Sequence, residues 1–496
     1  MMIRIKLNVN ARRTYLFVLS ILLWSAPKLM SQDFIVDDFV YKVIPDAAAP
    51  EVTVEGCISP VSDIVIPEKV IFEGIEYTVT EISEQAFSGG WLLDSSLTSV
   101  TMPNSIRCIG NNAFAWCYSL KTVNFGSGLE FIGWSAFFQC QKLEEAILPD
   151  GVKTIEDGAF YSCYALKKAY LGNSLTEIAP SLMCYCRSLI TVNVPETVTK
   201  IGMEAFLECK SMGKIVIPES VEEIDNYAFY SCTALHIVNI PEATVRIGLS
   251  AFEGCSSLEN IYLPNVKEWG YSAFVNSGLR DIEFGEGITT IGVNCFSNCE
   301  KLYEVHIGEN VETICSGAFN KCRNLSLLYF NDKVTTIEDF AFARCRLYTL
   351  KLPDSVKEIG NYAFQVNSNL SSVQIGSGLE TCGKYLFKEC KSIERLKVSA
   401  ENPPVCDTDA LDDIDKSKCQ LYVPASAIEK YQVAEQWKDF THFNVFNAVD
   451  EIVLDGGAEE IDIYNLKGQR VGNSFIGLPH GLYIVRSGEK SLKIKL

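Results

Sequence analysis

The sequence predicts a β-solenoid: about fourteen coils of 22–23 residues with short helical or 3₁₀ turns, a β cap at the N-terminal end, an α/β cap at the C-terminal end, and a small terminal β module. Three observations carry this reading. The phrase Ile-Gly-x-x-Ala-Phe-x-x-Cys-x-x-Leu-x-x-Val-x-Ile-Pro-x-x-Val recurs along the chain, and its aromatic column falls at Phe87, Phe114, Phe137, Phe160, Met183, Phe206, Phe229, Phe252, Phe274, Phe296, Phe319, Phe342, Phe364 and Phe387. After a first step of 27 residues, every interval is 22 or 23. Within a repeat, as in Leu120-Lys121-Thr122-Val123-Asn124-Phe125, apolar and polar residues alternate with the period of a strand. A unit this short cannot bury its own apolar edge, so neighbouring units must stack and fuse their Leu, Val, Ile and Phe columns into one core.

Taken in chain order, residues 1–31 read as an export signal. Arg4, Lys6, Arg12 and Arg13 precede an apolar run from Tyr15 to Trp24, with Ser31 at the cleavage position. The run is short for a bilayer span, which needs about 20 apolar residues. The first cysteine, Cys57, lies far beyond it, which argues against a lipid anchor. Without residues 1–31, which carry five basic and no acidic side chains, 38 basic residues face 62 acidic ones, a net charge of −24. Such a chain repels phosphate backbones and excludes a nucleic-acid binder.

Residues 32–80 alternate without the repeat phrase (Phe39–Val43, Glu51–Val54, Tyr77–Thr80), as expected of a β cap over the open end of the stack. The array occupies 81–398. Each repeat carries one strand ended by Pro or Gly (Pro149, Gly172, Pro195, Pro218, Pro241, Pro264), then a second extended piece such as Val221-Glu222-Glu223-Ile224. Residues 399–448 form the C-terminal cap, with a break at Asn402-Pro403-Pro404, a strand at Leu421–Pro424 and a short amphipathic helix over Ser426–Trp437. A β module fills 449–496, with strands expected at Glu451–Leu454, Ile461–Tyr464, Leu482–Arg486 and Leu492–Leu496.

The Ala-Phe-x-x-Cys-x-x-Leu repeat resembles the BspA-like branch of leucine-rich repeat proteins, found on the surfaces of anaerobic bacteria. That resemblance covers about residues 81–398. It implies a right-handed leucine-rich repeat solenoid with an exposed sheet, and roles in adhesion or recognition of host or neighbouring-cell proteins. Two further phrases, Ile463–Val471 and Gly477–Val485, are similar to the C-terminal sorting domain of the bacterial type IX secretion system. They imply attachment at the outer-membrane surface; a terminal β-sheet module without that role is the alternative.

Eleven of the 19 cysteines stand three residues after the aromatic column, at Cys117, Cys140, Cys163, Cys186, Cys209, Cys232, Cys255, Cys299, Cys322, Cys345 and Cys390. Stacking gives them parallel Cβ vectors, which disfavours disulfides, so they read as buried apolar thiols. Ser277 and Asn367 replace the cysteine in two repeats. Cys406 and Cys419, outside this ladder, either bridge each other or stay free. No Cys-x-x-Cys pairing suggests a metal, and no cofactor motif appears.

The four histidines, His236, His306, His442 and His480, are scattered over separate repeats and end segments, and no Gly-x-Ser-x-Gly, Walker-type or His-Glu-x-x-His phrase is present. Gly285-x-Gly287 and Gly376-x-Gly378 occupy the turn that Pro fills elsewhere. The reading is therefore not an enzyme, with no catalytic, cofactor or metal residues. What remains is the outward strand face, where Tyr303 and His306, Tyr329 and Tyr348 occur in three successive repeats, with Tyr170 and Tyr262 earlier. Tyrosine gives broad contact area at low entropy cost, although it is also simply a good strand residue. The expected function is a secreted or surface-attached bacterial adhesion and recognition protein binding a host extracellular-matrix or cell-surface protein. The alternative is glycan capture for a polysaccharide uptake system.

Overall fold

The computed structural model describes residues 33–446 apart from 46, 60 and 90–95, together with 462–465, 469–472, 482–487 and 490–495. The export-signal segment 1–31, the strand expected at Glu451–Leu454 and His480 lie outside the described residues.

Each coil places two short strands on two faces, and the strands stack in parallel from coil to coil. Among the described residues, a first ribbon of sixteen strands runs from Glu51–Cys57 to Val405–Cys406. A second ribbon of seventeen runs from Asp63–Val65 to His442–Phe446. Register is kept coil by coil: Phe131 and Ile132 lie beside Cys108 and Ile109 on one side and Thr154 and Ile155 on the other. The stack has about seventeen turns, not fourteen. The aromatic column counts only coils that carry the full turn phrase, whereas the end coils keep the strands and replace the turn. Glu51–Cys57 pairs in parallel with Ile75–Ile82, and Gln420–Pro424 with His442–Phe446.

The turn between the ribbons differs from the expected helical or 3₁₀ segment. The N–H groups of Ala113, Ala115 and Cys117 donate within the coil to Gly110, Asn112 and Phe114, the i→i−3 pattern of a 3₁₀ turn. Those of Asn112, Phe114 and Trp116 instead donate to Trp134, Ala136 and Phe138 of the next coil. A helix would spend every donor internally and leave the coils unjoined. Alternate donors are turned outward by left-handed residues such as Asn112 (φ 53°) and Trp116 (φ 60°), and by Gly158, Gly254 and Gly317 in equivalent positions. Each non-glycine residue in that region costs roughly 1–2 kcal/mol, offset by a cross-coil hydrogen bond worth about 1 kcal/mol net and by packing beneath it.

That packing is columnar. The rings of Phe87, Phe114, Phe137 and Phe160 stack at centroid spacings of 5.2 Å, break at the buried Met183, and resume from Phe206 to Phe387. Beside them the ladder cysteines are buried, and each thiol donates to the aromatic-column carbonyl of the preceding coil, as Cys140 to Phe114 (3.2 Å) and Cys232 to Phe206 (3.1 Å). Asn367 does the same work with its amide, donating to Phe342 (3.0 Å) and Phe364 (2.8 Å). Burial pushes the Cys117 and Cys255 thiols up to about 12.

The disulfide is Cys382–Cys406, with a Cα–Cα distance of 4.6 Å, and Cys419 is a buried free thiol. The Cys406–Cys419 pairing is thereby corrected. Cys406 lies on the first ribbon, in register with Cys382, whereas Cys419 precedes the second-ribbon strand Gln420–Pro424, on the other face of the coil.

At the N-terminal end, Asp33–Val36 and Phe39–Val43 form an antiparallel meander on Glu51–Cys57, and Phe39 meets the first column ring, Phe87, edge-on at 6.5 Å. At the C-terminal end the helix is shorter than expected, Ile428–Tyr431. The chain leaves it to bury Tyr431 and Trp437, whose polar atoms donate to Ala400 (2.9 Å) and Pro404 (3.0 Å). Beyond residue 461 the described segments form a four-stranded antiparallel sheet in the order Arg470–Gly472, Asp462–Asn465, Leu482–Ser487, Lys490–Lys495. The Arg470–Gly472 strand was not expected.

Candidate binding face

The second ribbon is the open face of the repeat array. Its strands follow Leu-x-x-Val-x-Ile, so the Val and Ile point inward; of the three outward positions the predicted residues use two, a first column directly after the Leu and a second between Val and Ile. Tyr303 and Tyr348 fall in the first column, two coils apart, with the buried Ser326 between them. His306 and Tyr329 fall in the second and are register partners. Their rings stack at 4.6 Å and 16°, and His306 Nε2 lies 2.7 Å from Glu304. Tyr303, Tyr329, Tyr348 and Tyr262 are 55%, 47%, 44% and 43% exposed.

Tyr262 shares the second column two coils earlier, beside Glu283, and its hydroxyl lies 3.4 Å from Glu242. Partial desolvation, then the Glu242, Glu283 and Glu286 carboxylates, hold its phenol above the ordinary range. Tyr170 is set apart, four coils before Tyr262 and half-buried. It donates to Asp150 at 2.6 Å, which raises its own pKa. The predicted set therefore divides into one contiguous group, His306, Tyr329, Tyr303 and Tyr348, with Tyr262 near and Tyr170 remote.

Some residues of the second column are structural. Asn193 and Asn239 reach sideways to the backbone of Leu171, Gly172 and Ile217, bonding the neighbouring strand. The exposed tyrosines have no such task, so packing does not account for them.

Two features escaped the sequence reading. Ile190, Val216 and Ile237 are about half exposed on the same ribbon. Ile190 and Val216, with Gly213 and His236, line a groove of about 590 Å³. On the turn edge, Trp116, Phe138, Tyr161 and Tyr185 form a continuous aromatic row at 5.2–5.6 Å, and Arg187 sits 5.6 Å from the rings of both Tyr164 and Tyr185. Aligning outward positions coil by coil would have found the exposed aliphatics. The row needed the left-handed turn, which no local residue pattern announces.

Of the described histidines, His236 lines the groove, His306 stands six strands before the last strand of the second ribbon, and His442 opens that last strand. Among the described residues no three His, Cys, Asp or Glu side chains are placed to hold a metal ion, and no helix is long and apolar enough to cross a membrane.

The family profile described as BspA type leucine rich repeat region matches the chain in six copies, over residues 80–209, 176–303 and 289–408. Among solved structures, a leucine-rich repeat protein from Bacteroides ovatus is similar at 23% identity and TM-score 0.65, covering 84% of this chain and 100% of that one. A leucine rich cell surface protein from Faecalibacterium prausnitzii matches at 26% identity and TM-score 0.44, over 70% and 95%. The pneumococcal vaccine antigen PcpA matches at 21% and 0.41, over 85% and 100%. The Bacteroides ovatus likeness shows the fold. No curated protein matches the chain.

Proposed function

Since the chain belongs to the BspA-type leucine-rich repeat family, we propose that it is a secreted or surface-attached recognition protein that binds a host matrix or cell-surface protein through its second ribbon. The observation that carries this is the His306–Tyr329 stack with Tyr303 and Tyr348 beside it, exposed on a rigid sheet and bonded to nothing that explains their size. Rigid aromatic side chains on a preorganised scaffold lose little entropy on contact, which suits them to anchor a partner. Among the described residues the histidines His236, His306 and His442 stand on separate coils of the stack, so no two of them share a site. Surface delivery would follow from residues 1–31 acting as an export signal, as their sequence reads, and from the four described strands beyond residue 461 belonging to a sorting module.

Capture of the full chain from solution onto surfaces coated with matrix protein tests this reading. The Tyr303→Ala, Tyr329→Ala, Tyr348→Ala triple variant should bind at least about tenfold more weakly, as expected for loss of central aromatic anchors. Undiminished capture by the variant rejects the patch. Capture by immobilised polysaccharide alone would move the function to glycan uptake.

A further inference from the structure

From Ile82 to Ile359 the inward position of the first ribbon is Ile in each described strand except at Trp269. The last two coils depart from that rule together. Cys382 and Cys406 take the Ile position in register, and their sulfurs are joined. All the other cysteines are free thiols. The covalent cross-link of the chain therefore stands at the last coil junction of this ribbon, where apolar packing gives way to a bond that redox chemistry can open.

That junction has less to hold it than those before it. Interior coils pass three turn N–H groups to their successor, as Tyr362, Phe364 and Val366 do to Lys384, Leu386 and Lys388. In the next turn, among the described residues, only Glu389 passes one on, to the Asp413 carboxylate at 2.7 Å. The ribbon itself contributes the N–H of Val405 to Glu380 (2.9 Å) and that of Asp407 to Cys382 (3.0 Å). Residues 402–408 are bonded on their other side to the cap: Pro404 accepts from the Trp437 indole (3.0 Å), Thr408 from Gln436, and Asn402 from Lys430 (2.8 Å). The second ribbon, by contrast, runs on unbroken from Arg395–Val398 through Gln420–Pro424 to His442–Phe446. The cap is thus fastened to the array twice, by a continuous sheet on one face and by a two-residue strand with a disulfide on the other. A body held in this way has a hinge and a clasp.

The clasp is within reach of solvent. Cys406 is half-buried, Val405 beside it is 73% exposed, and Cys382 with Val405 and Asp407 lines a surface cleft of about 570 Å³ that also bears Glu338, Glu358 and Thr381. Burial pushes the Cys390 and Cys419 thiols at this end of the molecule up to about 12, so neither supplies the thiolate that would scramble the pairing. We propose that the Cys382–Cys406 disulfide is a redox clasp: a dithiol reductant opens it, and residues 402–408, with the cap residues bonded to them, swing away from the last coil about the second ribbon. A reductant thiolate attacks the Cys406 sulfur, the S–S bond breaks, and Cys382 leaves as a thiolate that takes up a proton. The second thiol of the reductant then displaces Cys406, so that two electrons and two protons pass to the protein and the reductant departs as its own disulfide. The array keeps its turn bonds and stacked rings, which confines the opening to its end.

Hydrogen exchange of the full chain, read by mass spectrometry with and without dithiothreitol, tests the clasp. Peptides covering 402–408 should exchange at least about tenfold faster once the bond is reduced, while those covering 313–319 keep their rates. Cys382→Ser and Cys406→Ser together should make the segment exchange fast whether or not dithiothreitol is present. Cys382→Ile and Cys406→Ile together restore the pairing of Ile337 with Ile359 and should make exchange there indifferent to dithiothreitol, with the array peptides reporting that both variants fold. Unchanged exchange at 402–408 after the mass gain that marks reduction would overturn the proposal, as would resistance of the bond to dithiothreitol in the folded chain. So would acceleration spread evenly over the array, which would make the disulfide a general brace.

Discussion

In one and the same coil, the inward column and the outward column follow opposite rules. The inward one is Phe, with Cys three residues on, repeated with few exceptions from Phe87 to Phe387. The outward one, between Val and Ile of the second ribbon, reads Tyr262, Glu283, His306, Tyr329, Lys351 over successive coils. Both columns share one backbone and one spacing. The difference is that every inward side chain must match its neighbours above and below, whereas an outward one is free of that demand unless, like Asn193 and Asn239, it bonds the neighbouring coil. Uniformity in a stack therefore marks the scaffold, and departure from it marks the surface that can be selected for contact.

That contrast can be broken at several points. The largest effect belongs to Phe229→Ala, which opens a cavity between the rings of Phe206 and Phe252. It should cost about 3–5 kcal/mol, while Tyr329→Ala stays within about 0.5 kcal/mol, both read from denaturant unfolding. A comparable loss at Tyr329 would make the outward column structural after all. Next comes the exception in the cysteine column. Asn367→Ala strips partners from Phe342, Phe364 and the Leu347 N–H and should cost about 1–3 kcal/mol. Asn367→Cys should recover most of it by restoring the thiol-to-carbonyl bond.

The smallest effect is set by pH. Thiols such as Cys117 and Cys255 ionise near 9 when unfolded and near 12 when folded. Between those values the unfolded state binds fewer protons, so stability falls as pH rises, by about 1 kcal/mol per thiol one unit above 9. Below 9 they contribute no pH dependence. Replacing both with Ala should flatten the alkaline decline of Tm; an unchanged slope would show that other groups cause it.

Most of the scaffold was legible because a recurring phrase is a direct statement of which positions stack. The second strand, the buried thiols and the capping of both ends followed from that. What stayed hidden was set by contacts between coils. The left-handed turn residues are as varied as Asn112, Trp116, Glu208 and Val366, so no residue type betrays them. Cys406 finds Cys382 through ladder register, which sequence proximity to Cys419 obscured. Of the candidate site, the tyrosines were legible as outward residues. Their division into two columns, the pairing of His306 with Tyr329, and the remoteness of Tyr170 required knowing which coil faces which.

The alternating donors of the turn also bear on ancestry. Each coil from Phe87 to Phe364 hands the same three N–H groups to its successor, so any internal coil of that run can follow any other. A gene encoding such a stack can gain or lose whole units by recombination between its own copies without disturbing either end. The number of coils is then a heritable variable, and the reach of the outer face can change between lineages while its individual contacts are inherited intact.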